Sequence, residues 1–285
     1  MTTPTTDPST PLTTPAGGAS TEGGTPRRFA WITITVAIVG GLVVAGTVTS
    51  AFFGNLREVM SDRATITQSV AGVSSLRVDV DSVGIEIEFG DVTEAELRVE
   101  TKGFRQAGDW QLTTEGGELS VERLSGGRGG GPFGDEELSL TLPKTLEGDE
   151  LDAQITVSSG AASIEGDFGD LVIETNSGAS NFDGSAANLS VATGSGATNI
   201  DADVAGDVVL SANSGAINAV FGGAQPTSTD ISLESGFGSV SLPDGDYLVE
   251  SNLQESGMAN VNVRQSESSK STLSVSVGSG FLTVE

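Results

Sequence analysis

From about residue 64 onward, apolar and polar side chains alternate one by one. Leu76-Arg77-Val78-Asp79-Val80 and Ile85-Glu86-Ile87-Glu88-Phe89 show the pattern first. Leu97–Glu100, Leu119–Glu122 and Leu138–Leu142 repeat it. A period of two puts every second side chain on one face, so each run predicts a half-buried β-strand. No segment of this region sustains a helical period.

Beyond Pro143-Lys144 the alternation becomes regular, and a Ser-Gly dipeptide punctuates it. The dipeptides are Ser159-Gly160, Ser177-Gly178, Ser195-Gly196, Ser214-Gly215, Ser235-Gly236, Ser256-Gly257 and Ser279-Gly280. The steps between them are 18, 18, 19, 21, 21 and 23 residues. A near-constant period of this size predicts a solenoid, whose units bury their apolar faces only by stacking on one another. One strand of each coil starts at Leu171, Leu189, Val208, Ile231 and Tyr247, with its first and third residues inward in most coils. Ser-Gly then marks a corner, where glycine is expected to supply a positive φ.

A second strand follows each corner. Its second and fourth residues after the glycine are Ala162/Ile164, Ser180/Phe182, Thr198/Ile200, Ile217/Ala219, Gly238/Val240, Ala259/Val261 and Leu282/Val284, which line a thin core. Between them lie Ser163, Asn181, Asn199, Asn218, Ser239, Asn260 and Thr283. Stacked at about 4.8 Å, these form a polar row. It reads as a ladder that satisfies itself from coil to coil, with a sugar- or ion-binding stripe as the alternative. About seven such coils span roughly 35 Å, and residues 64–145 cap or extend the stack.

The opposite pattern precedes the strands. Phe29–Phe53 holds no charge over its whole length. At about 1.5 Å per helical residue it can cross a hydrocarbon core of about 30 Å. A cleaved signal peptide is the rival, but its apolar region is usually shorter, about 7–15 residues. Arg27 and Arg28 are the only bases before the span, which places the N-terminus in the cytoplasm and the rest outside. Ala37, Gly41 and Ala45 form a small-residue row that ordinary membrane spans also show. Residues 1–28 are rich in Thr, Pro, Ser and Gly and too poor in apolar side chains to fold alone. The expected organisation is a disordered cytoplasmic tail (1–28), a transmembrane helix (29–53), a linker (54–63) and an extracellular β-solenoid (64–285). Within the last, 64–150 is irregular and 151–285 carries the regular repeats.

Composition narrows the function. The net charge of −26 repels phosphate backbones, so nucleic acid is a poor partner. There is no cysteine and no histidine, which removes thiolate metal sites and the commonest general base. The Gly126–Asp135 run lacks the Gly-Lys-Ser/Thr of a phosphate-binding loop and reads as a surface hairpin loop.

From residue 151 the only bases are Arg264 and Lys270, in or beside the loop-like QSESSK stretch. The acids, Asp152, Asp170 and Asp183 among them, fall mostly at predicted turns. A polysaccharide-cleaving enzyme needs converging carboxylates, or Ca²⁺ with a base. The spread of these acids reads instead as a solvated rim. Asp201, Asp203 and Asp207, and separately Asp244 and Asp246, are the calcium candidates, without the glycine-rich nonapeptide of calcium β-rolls. No catalytic, cofactor-binding or metal-binding residue is assigned, and no cofactor is expected.

The run LSLTLPKTLEGDELDAQITVSSGAASIEGDFGDLVIETNSGASNFDG contains a strand ending in Leu142-Pro143-Lys144, then strands alternating with Ser-Gly-small turns. It resembles the bacterial putative-adhesin family of β-strand repeat proteins, a domain of unknown function. The match extends over roughly residues 70–285. The resemblance implies a solenoid of short strands displayed outside a bacterial membrane by one N-terminal span, often near envelope-stress genes. It brings no catalytic residues.

The expected protein is therefore an all-β, single-pass membrane protein that is not an enzyme. Its solenoid would bind a cell-envelope polymer or a protein partner. A carbohydrate-active β-helix enzyme and a structural surface spacer are the alternatives. The sequence sets no oligomeric state.

Overall fold

The computed structural model describes residues 63–102, 110–124, 135–148, 151–253 and 256–285. The Phe29–Phe53 span, the segments flanking it and most of the Gly126–Asp135 run lie outside the described residues. Among those described, no helix is long and apolar enough to cross a membrane. One 3-10 turn, Lys144–Leu146, follows Pro143 where the regular repeats begin.

The remaining elements are strands. The irregular part holds β1 (Arg63–Gln68), β2 (Ser75–Val80), β3 (Gly84–Gly90), β4 (Ala95–Lys102), β5 (Trp110–Glu115), β6 (Glu118–Arg123) and β7 (Asp135–Pro143). Next come β8 (Asp152–Val157), β9 (Ala161–Thr175), β10 (Ala179–Thr193), β11 (Ala197–Val204), β12 (Asp207–Ala212), β13 (Ala216–Gly222), β14 (Ser228–Leu233) and β15 (Phe237–Ser241). The chain finishes with β16 (Asp246–Leu253), β17 (Met258–Val261), β18 (Arg264–Gln265), β19 (Thr272–Val277) and β20 (Phe281–Val284).

Each coil has a front strand before its corner and a back strand after it. The 15-residue strands β9 and β10 serve both faces. In β9 the alternation of buried positions shifts at Phe168 and Gly169, which are both buried. That phase change carries the chain from the back face of one coil to the front face of the next. Gly166 and Gly184 take φ of 130° and 150° near this bend, where glycine escapes the penalty other residues meet.

The corner glycines behave differently from expectation. Among the described residues the positive-φ glycines do not include Gly160, Gly178, Gly196, Gly215, Gly236, Gly257 or Gly280. Close approach is what demands glycine there. A Cβ on Gly215 would sit 2.6 Å from the carbonyl oxygen of Gly196, and equivalent clashes recur at the other corners. Those oxygens are held by the ladder itself, for example by Ala179 N–H on the Gly160 carbonyl at 3.0 Å and by Ala197 N–H on the Gly178 carbonyl at 3.1 Å.

The order of the stack is not the order of the chain. On the front face the parallel neighbours run β6, β2, β8, β9, β10, β12, β14, β19, β16. On the back they run β7, β3, β9, β10, β11, β13, β15, β20, β17. The last coil in sequence, β19–β20, is thus wedged between β14–β15 and β16–β17. Two coils come from the irregular part, giving nine front strands and a stack of about 38 Å.

Antiparallel strands close the other end: β5 on β6, β4 on β7 and β1 on β4. β5 and β6 are joined at Gly116-Gly117, both with positive φ, the requirement of a tight hairpin turn.

The core is a set of columns. Ile173, Val191, Leu210, Ile231 and Val275 are neighbours along the front, and Ile164, Phe182, Ile200, Ala219 and Val240 along the back. All are buried. Ile231 therefore aligns with Leu210, not with Val208. The inward residue that aligns with Val208 is Thr229. Likewise Val249, not Tyr247, faces the column through Leu273.

Candidate functional site

The front face presents its outward residues in columns one coil apart. Thr156, Glu174, Ala192, Ser211 and Ser232 are successive register partners. Beside them the corner backbones stack, with Ser195 N–H donating to the Asn176 carbonyl at 2.6 Å and Ser214 N–H to the Gly194 carbonyl at 2.8 Å. The small side chains of Ala192, Ser211 and Ser232 and the corner residues beside them line a groove of about 410 Å³. It runs along the stack axis, across the strands. Glu174 and Glu234 supply its charge, and hydroxyls of Thr156, Ser211 and Ser232 line it with the Asn176 and Asn213 amides.

Polar ladders run along the stack elsewhere on the surface. On the back face the predicted row is in register from Ser163 through Asn181, Asn199 and Asn218 to Ser239, then Thr283, then Asn260. Asn199 Nδ2 donates to Asn181 Oδ1 at 2.9 Å, the self-satisfying contact that the stacking predicts. At the second bend, Asp152 Oδ1 accepts from Asp170 N–H at 2.9 Å, Asp170 Oδ1 from Asn188 Nδ2 at 2.7 Å, and Asn188 Oδ1 from Asp207 N–H at 2.8 Å. These residues are more than a solvated rim, because their side chains cap backbone groups of the next coil. Their 18- and 19-residue spacing was the available signal.

Sequence reasoning also missed a buried polar cluster. Thr175, Ser180, Thr198 and Thr193 are joined in that order by hydroxyl contacts of 2.9, 2.9 and 2.8 Å. All four are buried. Ser180 and Thr198 were placed inward by periodicity, whereas their partners Thr175 and Thr193 sit across the corner. The Thr229 hydroxyl is buried with no partner among the described residues.

Asp230 lies one column from the groove and pairs in register with Ser274. Burial pushes its carboxyl above the usual value, and a hydrogen bond from Ser274 offsets part of that. Burial also raises Tyr247, whose hydroxyl donates to the Pro243 carbonyl at 2.9 Å.

The calcium candidates do not converge. Asp201 and Asp203 point outward from β11, while Asp207 begins β12 beyond the bend. Among the described residues no group of three or more acids is placed to hold a metal ion. Asp246 instead faces Arg264, with Nε to Oδ1 at 3.8 Å.

These features define a two-faced parallel β-solenoid with a surface groove. The chain belongs to the family described as Toastrack DUF4097, whose model matches residues 73–282. No curated protein sequence matches it. Similar solved structures include a putative adhesin from Parabacteroides merdae, 12% identical with a TM-score of 0.49, covering 79% of this chain and 96% of that one. A putative adhesin from Bacteroides fragilis is 13% identical with a TM-score of 0.47, covering 79% and 98%. A putative lipid binding protein from Parabacteroides distasonis is 16% identical with a TM-score of 0.42, covering 79% and 97%.

Proposed function

We propose that this protein is a non-enzymatic envelope-binding module, held at the outer face of the cell membrane by residues 29–53. Its front groove takes an extended envelope polymer. The observation that carries the reading is the groove itself: Thr156, Ala192, Ser211 and Ser232 put a small or hydroxylic side chain at the same position in four of its five coils, with Glu174 in the other, so the surface repeats at about 4.8 Å along the stack axis. A linear polymer of similar repeat can meet equivalent groups at each step. An extended peptide, advancing about 3.3 Å per residue, falls out of step with it.

The groove's own charges disfavour an enzyme. Glu174 is three strands away from the corner of Glu234 in the stack, or about 14 Å. A glycosidase pair needs roughly 5–9.5 Å. The acidic lining favours a neutral or cationic polymer.

Co-sedimentation of the purified full chain with cell-wall fractions tests the reading. Ala192→Trp, which fills the groove from an exposed position, is expected to weaken binding at least tenfold. No binding, or binding unchanged by Ala192→Trp, overturns it. For the anchor, single cysteines introduced into this cysteine-free chain report sidedness. A membrane-impermeant maleimide should label Ser185→Cys and spare Ser20→Cys in intact cells.

A further inference from the structure

We infer that the C-terminal end of the solenoid is a self-association surface, which docks end to end with a second copy of this chain. Three observations meet at that end. The first is an apolar ladder. The first back-face position is Ala161, Ala179, Ala197 and Ala216 in four successive coils, then changes to Phe237, Phe281 and Met258 in the last three. These three are register neighbours, and they are 67%, 42% and 62% exposed. The core does not require their size, since alanine fills the same position elsewhere. Leu253, on the front strand of the end coil, is also exposed.

The second is an open edge. Among the described residues β17 pairs with β20 alone, and β18 covers only Asp246 and Tyr247 of β16. The outer edge from Leu248 to Leu253 and from Met258 to Val261 thus offers backbone donors and acceptors that another β-strand would satisfy. Met-Ala-Asn-Val in β17 has none of the charges or prolines that usually blunt an edge.

The third is charge, which confines a contact between two copies to this end. A second copy carries the same net charge of −26. Back-face strands β9, β10 and β11 present Glu165, Asp167, Asp183, Asp201 and Asp203, whereas β13, β15, β20 and β17 hold no charged residue. Glu285, exposed just past β20, is the acid that borders them, so this half of the back face is where two such acidic chains meet the least repulsion. The ladder's last rung, Met258, lies on the edge strand itself. Two identical ends can therefore meet edge to edge, each covering the other's Met258, the self-complementarity of a two-fold contact.

The absence of native cysteine makes a direct test available. Full-length chains carrying Asn260→Cys, on the edge strand, or Asn181→Cys, in the same polar row at mid-stack, are expressed in membranes. They are then treated with a short bis-maleimide. Asn260→Cys is expected to yield cross-linked dimer at least tenfold above Asn181→Cys. Adding Phe237→Ser to Asn260→Cys is expected to reduce that yield severalfold. No dimer at residue 260, or equal yields at both positions, overturns the inference whatever the Phe237 variant does. Met258→Cys provides a second edge position, with the same expected outcome.

Discussion

The carbonyl oxygen of Gly160 occupies the place that a Cβ on Gly178 would need. The Ala179 N–H, 3.0 Å away, holds that oxygen in position. The corners are therefore packed backbone on backbone. Gly178→Ala is expected to destabilise the fold by about 1–3 kcal/mol, the usual cost of overpacking. Gly84→Ala is the contrast, because an added Cβ meets nothing within 4 Å and φ is not positive there. It should be neutral or stabilising by up to about 1 kcal/mol. Urea unfolding followed by circular dichroism separates the two.

Thr198 sits at the junction of the buried hydroxyl cluster, touching both Ser180 and Thr193. Thr198→Val strips a partner from each and should cost about 1–3 kcal/mol. Replacing all four hydroxyls, with Val at the threonines and Ala at Ser180, should recover most of that loss. Removing both partners of a hydrogen bond leaves nothing unsatisfied. The comparison of unfolding midpoints checks this.

Thr229 offers the opposite sign. Its hydroxyl is buried in an otherwise apolar column between Val208 and Leu273 and has no partner among the described residues. Thr229→Val keeps the shape and removes the buried polar group. An increase of about 1 kcal/mol in stability is expected, read as a higher unfolding midpoint.

Asp230 titrates above its ordinary value of 3.8 in the folded chain because burial disfavours its charge. The folded state then holds the proton more tightly than the unfolded one, so this residue's contribution falls as pH rises from 3.8 through the folded pKa. Asp230→Asn should be more stable than the parent at pH 7. The gain should vanish below about pH 3.8. A gain independent of pH would falsify this account.

Leu273 belongs to the coil nearest the C-terminus in sequence, yet it is fully buried between Thr229 and Val249. A fraying last coil would tolerate truncation. This wedged coil should not: Leu273→Ala is expected to cost about 2–5 kcal/mol. Ending the chain at Lys270 should release β16 and β17 as well, which limited proteolysis would detect.

The architecture was legible because its cause is local. Alternation at Leu76–Val80 or Leu138–Leu142 puts side chains on two faces whatever the neighbours are, and the Ser-Gly period marks the coil length. The polar row from Ser163 to Thr283 also followed from spacing, since equal steps place equal positions above one another. Alignment failed where the first inward residue is polar. Thr229 lies six residues before its Ser-Gly corner, as Val208, Leu189 and Leu171 do before theirs, but Ile231 is the first apolar residue of that strand and took the place that belongs to Thr229. The groove was not legible at all. Ala192, Ser211 and Ser232 are ordinary outward residues until stacking sets them in one column beside the corner residues Asn176, Gly194 and Asn213.

By itself the sequence determined that the chain forms short strands, that they coil with a period near 18–23 residues, and which faces are apolar. These follow from side-chain periodicity and from glycine's small size. The tertiary structure decided why the corners need glycine, which is the approach of the preceding coil and not a backbone torsion. It also decided the order of the stack. A strand can pair with any exposed edge of matching pattern, and the edge taken by β19 and β20 is the one between β14–β15 and β16–β17. That choice buries the C-terminal coil and leaves Met258 and β17 at the end of the described stack.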